Sequence, residues 1–148
     1  MRIRLIQIIT ALLVLAAGVA AETPVAPAER GFRVIVHPTN PISSVKRSFL
    51  SDVFLKKVTR WADGELIKPA DLSRASPLRR RFSEEILGRS LLAVRSYWQQ
   101  QIFSGRDLPP PELDSDAAAV SFVLKYPGAI SYIDANTDPR GTKILTVK

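Results

Sequence analysis

Proline and glycine cut this chain into short pieces, and no piece is long enough for anything but a small alternating fold. The breaks fall at His37-Pro38, Asn40-Pro41, Asp63-Gly64, Ser76-Pro77, Gly88, Gly105, Pro109-Pro110-Pro111 and Tyr126-Pro127-Gly128. Proline lacks the ladder donor and restricts the residue before it, while glycine takes up the left-handed turns that end helices. Each break therefore fixes a start, a stop or a turn.

Between the breaks the apolar period alternates in kind. Phe32, Val34 and Val36 alternate with Arg33, Ile35 and His37, which predicts a strand with at least one buried face. Ser43 or Ser44 is the expected cap of a helix carrying Val45, Phe49, Val53 and Phe54 on one side. A short Ile67-centred strand, Leu66 to Ala70, follows the Asp63-Gly64 turn. Ser76-Pro77 reads as N-cap and first helical residue, with Leu78, Phe82 and Ile86 as one stripe and Gly88 as the stop. Ser90 caps a helix whose Leu91, Val94, Trp98 and Ile102 share a face, closed by Gly105. The three prolines make Leu108 to Glu112 an extended connection. Asp114 or Ser115 starts a last helix through Val120, Val123 and Leu124, and Ala129 to Ile133 and Lys143 to Val147 complete the strands. The alternation predicts a single α/β domain with a small, mixed β-sheet flanked by helices.

The segment ahead of this domain reads differently. Arg2 and Arg4 precede an apolar run from Leu5 to Gly18, followed by Val19-Ala20-Ala21. That pattern is a secretory signal over residues 1–21, cut after Ala21 or one residue earlier. The alternative, an uncleaved anchor, needs about twenty apolar residues to span a bilayer, and the run is shorter. Residues 22–30 form an alanine- and proline-rich leader, and residues 31–148 the domain. The chain has no cysteine, so neither a disulfide nor a lipoprotein attachment is available, and a periplasmic address fits. Losing Arg2 and Arg4 lowers the net charge from +7 to +5. Such a balance suits small anions or an anionic surface as well as nucleic acid, and the export signal argues against nucleic acid.

In this order, Asn40-Pro41-Ile42-Ser43, Phe54, Val58 to Gly64, Phe82, Tyr97-Trp98, Phe103-Ser104-Gly105 and Gly128 to Tyr132 resemble one family. It is the phosphate-binding component of bacterial phosphate ABC transporters, a type 2 periplasmic-binding-protein class. The resemblance runs from about Phe32 to Val147 and implies the fold of a single lobe, like the second of the family's two. It also implies a non-enzymatic binding module. Where the family shows Ser-Gly-Thr at a helix N-terminus preceded by an arginine, this chain has Ser76, then Pro77 and Leu78, with Leu72 in the arginine's place.

A helix start offers free N–H groups and a positive dipole to an oxyanion. Ser76, Leu78 and Arg79 are therefore the candidate site for phosphate or another small oxyanion, with weak or altered recognition because Pro77 deletes a donor and Leu78 replaces a hydroxyl. Arg79 either meets that anion or belongs to a solvated basic face with Arg80 and Arg81, whose i, i+4 partners are Glu84 and Glu85. The alternative function is an interaction module that docks on an envelope partner and has lost solute binding. Trp61 and Trp98 read as core, and Asp114 and Asp116 as capping residues. His37, the only histidine, has no cysteine or second histidine to share a metal. No catalytic set and no cofactor motif is read from the residues.

Overall fold

The computed structural model describes residues 31–148; the expected signal and leader, residues 1–21 and 22–30, lie outside the described residues. Strand β1 (Phe32–Val36) is the centre of the sheet, which explains why Val34, Ile35 and Val36 are all buried rather than alternating. It runs antiparallel to β6 (Ala129–Asp134) on one side and to β7 (Lys143–Val147) on the other. Short parallel partners close the two edges: β2 (Ser44–Val45) on β7 and β3 (Lys68–Pro69) on β6. The order is β2-β7-β1-β6-β3, a mixed sheet as the sequence predicts. Pro69 sits on the β3 edge, where its missing donor leaves no ladder bond unmade. A second, two-stranded sheet pairs β4 (Asp71–Leu72) with β5 (Glu112–Leu113), at the end of the proline connection.

Among the described residues, four α-helices flank the sheets: α1 (Arg47–Phe54), α2 (Pro77–Phe82), α3 (Leu91–Phe103) and α4 (Asp116–Lys125). Helix α2 passes into a π-helical turn, Ser83–Leu87, that ends on Gly88 in the left-handed conformation. The Ser90 and Ser115 side chains accept from Ala93 N and Ala118 N, so Ser90 is the cap expected and Ser115, rather than Asp114, is the cap of α4.

Phe82 is the pivot of the core. Its ring stacks on Tyr132 of β6 at 3.8 Å between centroids, and Phe54 of α1 meets its edge at 4.7 Å. Phe32 of β1 closes the cluster at 5.3 Å. Trp61 is buried as expected, and its indole N–H donates to Gly128 O at 3.1 Å.

Three local expectations are corrected. The first helix begins at Arg47, with Lys46 rather than Ser43 or Ser44 at its cap, because Ser44 and Val45 are taken into the ladder with Thr146 and Val147. A sheet partner 102 residues away outcompetes a local serine cap there. The strand expected at Leu66 to Ala70 splits: Leu66 bridges Arg60, while only Lys68 and Pro69 pair with β6. On α3, Val94 and Trp98 are buried, whereas Ile102 of the same stripe remains 47% exposed.

Candidate functional site

Helix α2 separates two cavities, and the three residues predicted to share one anion site fall on both sides of it. Ser76 and Leu78 line a cavity of about 390 Å³ with Arg81, Asp116 and Asp134. Arg79 lines another of about 250 Å³. The helix period accounts for this. One residue advances about 100° around the axis, so Arg79 leaves the face that carries Leu78.

At the first cavity the backbone supplies little. Pro77 has no N–H, and the Arg79 and Arg80 amides both point at Ser76 O, at 3.1 and 3.4 Å. The Ser76 side chain makes no capping bond, so its hydroxyl is left for a ligand together with the Leu78 amide. Two carboxylates face that position. Asp116 Oδ2 accepts from Asp134 N at 2.9 Å and from the Thr137 hydroxyl at 2.5 Å, so Asp116 is a fixed element of the α4–β6 corner rather than a capping residue. Arg81 is the cation here, and its Nε lies 2.6 Å from Glu85 Oε1, the predicted i, i+4 pair. No matching Arg80–Glu84 ion pair forms among the described residues.

Arg79 has a partner that helical spacing could not reveal. Its guanidinium is buried and ion-paired through Nη1 with Asp71 Oδ2. It is therefore not part of a solvated basic face. Asp71 also accepts from the Tyr132 hydroxyl and, at 3.0 Å, from the Leu72 amide. Burial lowers the Arg79 pKa, against the favourable charges of Tyr132 and Glu112. Burial likewise raises the Tyr132 phenol well above its ordinary value. The ion pair leaves Nε and Nη1 of Arg79 without a well-directed hydrogen bond. An aspartate inside the apolar run Ala70 to Leu72 was the signal in the sequence, since a buried carboxylate demands a cation or donors.

Arg74, Arg95, Trp98 and Glu112 line the Arg79 cavity as well. Trp98 is a core residue, as predicted, yet one edge of it forms this wall. His37 uses Nδ1 to bond the Thr39 hydroxyl at 2.7 Å.

No family model and no curated protein matches the chain. Solved structures do. Over 80% of this chain it is similar to a Clostridium perfringens protein assigned as a phosphate ABC transporter substrate-binding protein, which was solved with bound phosphate (TM-score 0.62, 20% identity). It is similar over the same share to an ABC-type phosphate transport receptor from Vibrio cholerae (TM-score 0.63, 16% identity). PstS from Borrelia burgdorferi gives a TM-score of 0.62 at 13% identity. The chain spans 45%, 46% and 47% of those three structures. Residues 31–148 thus have the periplasmic-binding-protein fold of phosphate ABC transporter substrate-binding proteins, over a length that corresponds to one of its lobes.

Proposed function

We propose that this chain is a non-enzymatic, periplasmic solute-binding-like domain in which oxyanion recognition at the start of α2 is weak. The observation that supports this reading is the α2 start itself. On a fold shared with phosphate-binding proteins, it offers the Ser76 hydroxyl and one free amide opposite Asp116 and Asp134. Two charge-assisted bonds contribute about 3–6 kcal/mol before any immobilisation cost. A millimolar Kd corresponds to about 4.1 kcal/mol, so binding stronger than that is not expected against two carboxylates.

Isothermal titration with phosphate and sulfate tests the reading. The expected result is a Kd on the order of millimolar that weakens further in Ser76→Ala. A micromolar Kd, or a Ser76→Ala variant indistinguishable from the parent, refutes it.

A second reading, an interaction module for an envelope protein, draws support from the exposed apolar residues of α3. Leu92 is 72% and Phe103 89% exposed. Among the described residues no helix is long and apolar enough to cross a membrane. Binding to a purified sensor or transporter ectodomain that is lost in Phe103→Asp, with no anion affinity, would favour this alternative.

A further inference from the structure

The cavity on the Arg79 side of α2 is built differently from the one at Ser76. Its floor is the buried guanidinium of Arg79, 6% exposed, held by Asp71 yet with Nε lacking any acceptor. A donor left unmade in a buried place is costly, and native structures rarely keep one without a partner. Its charges nearly cancel in pairs. Asp71 takes Arg79, and Glu112 Oε1 lies 3.3 Å from Arg74 Nε. Arg95 remains, exposed on α3 and without an ion-pair partner among the described residues. The groove therefore carries one uncompensated positive charge.

Much of the remaining lining is apolar. Val94, Trp98 and Ile102 present one side from α3, and Pro109 and Pro110 present the other from the extended connection. The volume, about 250 Å³, falls below the roughly 300–1,000 Å³ of sites for drug-sized molecules, so the occupant is small.

We propose that this groove binds a small organic monocarboxylate with an apolar body, its carboxylate at Arg95 beside the buried Arg79 charge and its hydrocarbon against Trp98, Val94 and the two prolines. One net positive charge matches one carboxylate. A phosphate dianion has no apolar part for this wall and carries more charge than the single uncompensated cation balances. Planar guanidinium groups are also suited to carboxylate oxygens. The groove shares no lining residue with the Ser76 cavity, so the inference stands apart from the function proposed above.

The test is calorimetric titration of the protein with hexanoate, acetate, hexanol and inorganic phosphate, with tryptophan fluorescence as a second readout. Hexanoate is expected to bind at least about tenfold more tightly than acetate, hexanol or phosphate, since it alone satisfies both the charge and the wall. Arg95→Gln, a change at an exposed position, is expected to weaken hexanoate about tenfold, while Ser76→Ala leaves it unchanged. Equal affinity for acetate and hexanoate, tighter binding of phosphate, no response to Arg95→Gln, or no saturable binding of hexanoate each overturns the proposal.

Discussion

Arg79 in the first turn of α2 reaches back across the turn Ser73–Ser76 to Asp71 of β4, and the two side chains, 6% and 5% exposed, form a buried ion pair. Removing one member of such a pair strands the other charge, at a cost of about 3–5 kcal/mol. Arg79→Ala and Asp71→Ala are each expected to lose that much by urea denaturation. The double change Asp71→Ala with Arg79→Ala should cost far less than the sum of the two single changes. Additive losses would mean that the pair is not coupled.

Alkaline pH should loosen the same region. Burial raises the folded-state pKa of Tyr132 above the ordinary 10.0, and Tyr97 is raised too, again chiefly by burial. Below pH 10 both states hold the proton and the stabilisation is whole. As pH rises past 10 the unfolded phenol ionises first, so stability falls by up to about 1.4 kcal/mol per pH unit for the buried Tyr132, and by less for the more exposed Tyr97. Tyr132→Phe is expected to flatten the decline of the urea midpoint above pH 10, leaving a residual slope from Tyr97. An unchanged slope would rule out Tyr132 as its source.

Gly128 and Gly64 separate two reasons for glycine. Both have positive φ, 77° and 89°. A Cβ on Gly128 would lie 2.2 Å from Leu66 O, whereas one on Gly64 meets nothing within 4 Å. Gly64→Ala is expected to cost about 1–2 kcal/mol for the left-handed backbone alone. Gly128→Ala should cost clearly more, because the β3 approach to β6 must open. Equal midpoint shifts in thermal unfolding would count against the clash.

Serine caps give a complementary contrast. Ser115 accepts from Ala118 N, and Ser115→Ala is expected to cost about 1 kcal/mol. Ser76 makes no capping bond, so Ser76→Ala should leave the thermal midpoint nearly unchanged. A large loss at Ser76 would show that the residue works as a cap after all.

The elements whose ends are written locally were legible in the sequence. The span of β7, the Ser90 and Ser115 caps and the Gly88 stop follow from residues within a turn of each boundary. What escaped were features decided by distant partners. Ser44 and Val45 carry no mark that distinguishes a cap from a strand until Thr146 and Val147 arrive beside them. The π-helical turn after Phe82 likewise has no signature in Ser83 to Leu87. At the candidate site, Ser76-Pro77 marks the helix start, but i, i+4 spacing gives Arg79 no acidic partner, and the one it has lies eight residues earlier on a strand. The groove at Trp98 was hidden because a residue can fill a core and still offer one edge as a wall.

Strand order carries a consequence in time. β7 lies between β1 and β2, so the second strand has no neighbour, and the central strand only one, until residues 143–147 have been delivered. Loop closure over that span is slow relative to helix formation. A chain threaded out amino end first would therefore hold its helices ready around an unfinished sheet. Its final five-residue strand would act as the closing stitch.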